Sequence, residues 1–169
     1  MAGSRTYENF PVWMPILANL VSILIYTAGA VILAGYGTGL AILYVLYCAG
    51  VEFRVIRKSC INCYYYGKDC GMGKGRLCSL LFKKGDPAKF APQTIGWTDL
   101  LPDFLVPIFP LVGGIGLLIR DFSWQLAALM ATLVLLSTVG TAFVRSSFAC
   151  KYCKQRALGC PAEKFFSKR

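Results

Sequence analysis

The polar residues of this chain are gathered into a few stretches, and what separates them is apolar. No Asp, Glu, Lys or Arg occurs between Asn9 and Val51, and Phe122 to Val144 is a second uncharged run. About 20 apolar residues cross the hydrocarbon core of a bilayer, so the first run suits two crossings and the second suits one. Gly35-Tyr-Gly-Thr-Gly39 divides the first run, because glycine takes the backbone angles of a tight turn that other residues avoid. The pattern predicts helices over 12–34, from 40 to about 56, and over 122–144.

Leu101 to Ile119 is also apolar, but it contains Pro102, Asp103, Pro107 and Pro110, with Gly113, Gly114 and Gly116 close behind. A spanning helix tolerates such residues when neighbours satisfy the freed backbone groups, so a third, kinked helix is expected there. Arg120-Asp121 then marks a short hairpin. The first run is not expected to be a cleaved signal. Met1 to Phe10 lacks a strongly basic leader, and the apolar run continues past Ala28-Gly-Ala30.

A repeat organises these elements. Cys60, Cys63 and Cys70 are spaced C-x2-C-x6-C, and Cys150, Cys153 and Cys160 repeat the spacing after the second apolar pair. Six of the eight cysteines lie in these triplets, which makes chance a poor explanation. The expected fold is an all-α integral membrane protein of four transmembrane helices. They form two tandem hairpins related by a pseudo-twofold internal repeat, residues 1–90 and 91–169, each followed by a cysteine triplet.

Charge gives this arrangement an orientation. The segment from Arg54 to Lys89 carries nine Lys or Arg against Asp69 and Asp86. If both hairpin tips face one side, Arg120 is the one basic residue there, and the other 17 of the 18 Lys and Arg share the opposite side. Basic residues beside spanning helices mark the cytoplasmic side, so both termini and both cysteine motifs are expected there. The net charge of +10 therefore points to anionic lipid rather than nucleic acid, given that 56% of the chain is hydrophobic.

The compartment then narrows the cysteine chemistry. Thiols in a reducing cytoplasm rarely hold structural disulfides, so C-x2-C spacing argues for metal binding or redox turnover. The chain has no histidine, which removes histidine-ligated haem, mixed Cys/His zinc sites and Ser-His or Cys-His catalysis. A hydrolase acting alone is not expected, and the histidine-bearing signature of the membrane palmitoyltransferases is absent. Seven candidate metal ligands remain: Cys60, Cys63, Cys70, Cys78, Cys150, Cys153 and Cys160.

Cys60, Cys63, Cys70 and Cys78 could supply a closed four-thiolate zinc site, whereas the second triplet has no fourth cysteine after Cys160. An iron-sulfur cluster would also take four thiolates, and Cys160-Pro161 is similar to the Cys-Pro that ends ferredoxin ligand runs, at a different spacing. Dithiols that pass electrons or a soft metal ion are the third alternative. Zinc is favoured, with the alternatives open. Cys48, within the second predicted helix, reads first as a small buried residue and second as a relay thiol.

Lys74, Arg76, Lys83 and Lys84 are candidate contacts to anionic lipid or a protein partner, a second copy of the chain included. Leu77 to Phe82 lies among them, and apolar residues flanked by basic ones suit a membrane surface. Gly71-Met-Gly-Lys-Gly-Arg76 is not a nucleotide phosphate loop, because Lys68 and Gly75 stand where that loop needs Gly and Ser or Thr. A flexible turn is expected there. Glu52, Asp99 and Asp103 form a candidate intramembrane or interfacial cation site, since carboxylates near spanning helices are costly to keep.

The charge count gives a direct test. Reporter fusions or cysteine labelling should place Lys74 and the C-terminus in the cytoplasm, and Gly37 and Asp121 on the other side. A C-terminus found outside would remove the third crossing and the repeat with it.

Overall fold

The computed structural model describes residues 6–93 and 96–161, and these are helical with no strand beyond a single bridge. Arg5 and the basic pair Lys168-Arg169 lie outside the described residues. Helix α1 is Trp13–Ala34 and α2 is Thr38–Ser59, followed by a 3-10 turn at Cys60–Asn62. A short helix, α3, covers Lys74–Leu81, and α4 covers Trp97–Arg120. Helix α5, Trp124–Leu135, runs on through a π-helical stretch at Leu136–Gly140, α6 at Thr141–Phe143 and a second π stretch at Val144–Ala149. The last element is α7, Lys154–Ala157.

Four of these helical stretches are long and apolar enough to cross a membrane: Trp13–Ala34, Thr38–Asn62, Trp97–Arg120 and Trp124–Ala149. The chain is accordingly a membrane protein with four candidate spans. The turn between α1 and α2 closes two residues earlier than the glycine pattern predicts, with α2 starting at Thr38. Gly37 takes a φ of +141° there, a conformation that L side chains rarely adopt, while Gly39 is already inside α2.

The chain divides into two compact units, and each draws on both halves of the sequence. One comprises Leu20–Glu52 and Trp97–Ala142. Its core is Ile25, Ala28, Ile32, Leu33, Tyr44, Cys48, Val51, Val106 and Leu133. Cys48 is 2% exposed in this cluster, which matches its reading as a packing residue.

The three prolines of α4 lie inside an unbroken helix, and a side chain from α2 accounts for one of them. Pro110 has no N–H to donate to the carbonyl four residues back, that of Val106. The Tyr44 hydroxyl donates to that carbonyl at 3.1 Å, in a buried position. Tyr47 donates to the Pro102 carbonyl at 2.9 Å, and Tyr36, in the turn after α1, donates to that of Gly113 at 2.9 Å. Small residues permit the close approach: a Cβ at Gly29 would overlap the Tyr44 ring, and one at Gly114 would overlap Met130.

Hydroxyls act on the fourth span in another way. Thr132 donates to the Ala128 carbonyl at 2.9 Å, Thr138 to that of Val134 at 2.6 Å and Thr141 to that of Ser137 at 2.5 Å. Such back-bonding competes with the backbone ladder, and here it accompanies the widening to a π-helix at Leu136–Gly140.

Replacing Tyr44 with Phe leaves the Val106 carbonyl buried without a donor. The expected loss is about 1–2 kcal/mol of stability, measured as a fall in unfolding midpoint in detergent. An unchanged midpoint would show that the carbonyl finds another donor and that Tyr44 is not what accommodates Pro110.

Candidate functional site

The second compact unit comprises residues 1–19, 53–96 and 143–169, and within its described part it holds seven of the eight cysteines. Its core is Phe10, Met14 and Tyr65, with Tyr7, Cys63, Tyr64, Cys70, Phe148, Tyr152 and Cys153 packed against them. Sulfurs from both triplets thus share one aromatic cluster.

The two C-x2-C turns close with matching backbone hydrogen bonds. Cys63 N–H donates to the Cys60 carbonyl and Cys153 N–H to that of Cys150, each at 3.3 Å. Three residues on, Tyr66 N–H reaches the Cys63 carbonyl at 3.1 Å and Arg156 N–H reaches that of Cys153 at 3.2 Å. Cys63 and Cys153 are both extended, with φ near −76° and −78°. Beyond this point the paths part: the first motif continues in turns with Gly67 at φ +74°, and the second enters α7 and turns at Gly159, φ +104°.

The short lead before α1 ties these turns together. Tyr7 N–H donates to the Tyr152 carbonyl and Phe10 N–H to that of Asp69, both at 3.0 Å. The buried Tyr65 hydroxyl donates to the Tyr7 carbonyl at 2.6 Å and accepts from Lys154 N–H at 2.9 Å. One phenol therefore joins the lead, the first motif and the second. Gln155, also buried, accepts from Tyr64 N–H at 2.8 Å, a further link between the motifs. At the surface, Lys154 pairs with Glu8 at 2.7 Å and lies 5.0 Å from the Tyr64 ring centroid. The Lys154 ammonium holds the Glu8 carboxyl below its ordinary range. None of Tyr7, Glu8, Phe10, Tyr65 or Gln155 stands out in the sequence as a site residue, although Tyr64-Tyr-Tyr66 directly after the C-x2-C is a visible signal.

Burial raises thiols in both motifs. It pushes Cys63 up to about 12, and the sulfurs of Cys153, Cys70 and Cys160 add to the shift, while the Tyr65 N–H acts the other way. Burial likewise raises Cys153, opposed by the N–H groups of Arg156 and Gln155. Lys74 N–H donates to the Cys70 sulfur at 3.2 Å. Backbone donors thus face one or more sulfurs of each motif, and such donors favour thiolate over thiol. Cys63 feels members of both triplets. Among the described residues, however, no three Cys, Asp or Glu side chains are grouped closely enough to hold a metal ion.

The other candidates fall in different surroundings. Cys78 is fully buried on α3, with its thiol 4.0 Å from the Ile56 carbonyl. The flexible turn expected over Gly71–Arg76 is a turn only as far as Gly73, and Lys74 opens α3. Arg76 engages Asp69 through two nitrogens, each at 2.7 Å, so its charge is compensated within the unit. Lys83 and Lys84 are exposed just beyond α3. In the other unit, Glu52 accepts a 2.5 Å hydrogen bond from Tyr26. Asp99 lies in the first turn of α4, and Asp103 follows one turn later.

No protein-family model matches the chain, and no curated protein or solved structure matches it significantly. The reading of this site therefore rests on its own chemistry.

Tyr65→Phe keeps the ring and removes the hydroxyl, leaving the Tyr7 carbonyl and Lys154 N–H without their partner. A loss of about 2–6 kcal/mol is expected, because each of the two buried groups left unsatisfied costs about 1–3 kcal/mol. Proteolysis of the variant should cut the lead before α1 sooner than in the parent. Unchanged protection of the lead would show that the hydroxyl is not what secures it.

Proposed function

We propose that this is a small polytopic membrane protein whose two cysteine motifs act together as a cytoplasmic-face metal module, with zinc the favoured ion. The module would stiffen a basic platform, Lys74, Arg76, Lys83 and Lys84, that meets anionic lipid or a protein partner. The observation that carries this reading is that Cys63, Cys70 and Cys153 pack against one aromatic core, while Tyr65 and Gln155 bind the motifs to each other. A triplet alone is one thiolate short of a closed site, and sharing supplies the missing ligand.

Burial raises the thiols of Cys63 and Cys153, so metal binding there would release protons, and its free energy would add to folding free energy. The N–H donors already facing Cys63, Cys70 and Cys153 favour the thiolates that result. Thiolate ligation also suits an iron-sulfur cluster, which would make the chain an electron carrier. A soft ion held only in passing would make it a transporter.

Metal analysis of anaerobically purified protein separates these. Colourless protein with stoichiometric zinc is expected. Brown protein with iron and sulfide selects electron transfer, and metal found only after adding soft ions selects transport. Cys63→Ser and Cys153→Ser should each lower the metal held by the whole module and its melting temperature, whereas Cys48→Ala should leave metal content unchanged. If each serine variant loses the metal of its own motif alone, the shared site is wrong.

A further inference from the structure

Helix α3 turns a leucine face outward. Leu77 is 44% exposed, Leu80 81% and Leu81 52%, while Gly75 and Cys78 on the opposite side are buried. The spacing of 77, 80 and 81 puts all three leucines on one stripe. Leaving a leucine in water rather than burying it costs about 1.5–3 kcal/mol, and three neighbours on an eight-residue helix form a patch that calls for a cover.

What stands around the patch identifies that cover. The Phe82 ring, next after α3, packs at 5.1 Å on Phe53 of α2, itself 46% exposed, and its carbonyl accepts from the Tyr66 hydroxyl at 2.7 Å. The end of α3 is thereby fixed against the last turns of a candidate span, so the leucine stripe continues the exposed apolar surface at Phe53. Basic residues follow both apolar positions along the chain: Arg57 and Lys58 in the last turn of α2, after Phe53, and the exposed Lys83 and Lys84 immediately after Phe82. A bilayer surface offers both partners at once, acyl chains for the leucines and anionic phosphates for the ammonium groups.

We infer that α3 is an interfacial helix, lying in the headgroup region of the same bilayer with Leu77, Leu80 and Leu81 among the acyl chains and Lys83 and Lys84 on anionic lipid phosphates. The inference deepens the platform reading and rests on it for the side of the membrane, naming lipid rather than a protein as what the platform meets. It also gives Cys78 a part: its buried face of α3 turns toward the thiol unit, so the helix links the lipid surface to the cysteine motifs.

The test places an indole on the stripe. Trp13, Trp97 and Trp124 are exposed and are replaced by Phe, and Leu80→Trp supplies the one remaining tryptophan, at a position that packs against little. The protein is set in nanodiscs of phosphatidylcholine with or without phosphatidylglycerol, using lipids brominated near the headgroup end of the chains. The introduced indole should emit at a blue-shifted wavelength, lose intensity to the brominated lipid and resist aqueous iodide. In anionic discs the quenching should fall several-fold with added salt and with the Lys83→Gln/Lys84→Gln double variant.

Emission typical of water, quenched by iodide and indifferent to bromine, overturns the inference. Shielding from iodide without bromine quenching overturns it in favour of a protein cover, a second copy included. Equal quenching in both lipid compositions, insensitive to salt and to the lysine changes, overturns the anionic contact. Metal content of the same preparation keeps the two readings apart. An indole in lipid without bound metal sinks the metal module alone, and bound metal with the indole in water sinks the lipid contact alone.

Discussion

The cysteine unit depends on a single buried hydroxyl. Its described segments, the lead before α1, the loop after α2 and the stretch from Phe143 on, come from distant parts of the chain. Such segments hold together only if their buried backbone groups find partners, because an unpaired carbonyl or N–H away from water costs as much as a hydrogen bond contributes. Tyr65 both donates to the Tyr7 carbonyl and accepts from Lys154 N–H. The ring beneath it fills the core with Phe10 and Met14. Apolar packing brings the three segments close, and the phenol sets their register.

That register also brings the cysteine motifs together. The two C-x2-C turns close with the same backbone hydrogen bonds, and burial raises the thiols of both Cys63 and Cys153. Cys63 and Cys70 of the first motif and Cys153 of the second pack against one aromatic core. Backbone N–H groups face all three sulfurs.

Much of this was legible in the sequence, and the reason is period and length. Apolar runs long enough to cross a bilayer, uncharged except for Asp103 in the third, put the helices within a few residues of α1, α2, α4 and the α5 stretch, and glycine at 37 marked the turn. The identical cysteine spacing pointed to a common unit. What escaped was long-range: the lead reads as a short polar tail, and nothing local in Tyr7 or Phe10 says that it will bind loops about sixty and one hundred and forty-five residues away. Helix α3 was hidden by its glycines, Gly73 and Gly75, which read as a turn although only Gly73 takes the left-handed conformation. The grouping of sulfurs into a closed ligand set is likewise a matter of tertiary distance, which spacing along the chain does not encode.

The bond between Tyr44 and the Val106 carbonyl also says something about how this sequence is free to change. Pro110 creates a vacancy in the hydrogen-bond ladder of α4, and a residue 66 positions earlier in the chain fills it. Neither side chain is chemically unusual, yet the proline depends on the tyrosine. Exchange Pro110 for a residue with an N–H and the Val106 carbonyl, which has two lone pairs, can take both donors; lose the hydroxyl first and the proline leaves a buried acceptor empty. The dependence runs one way, so the order in which the two positions change decides the cost.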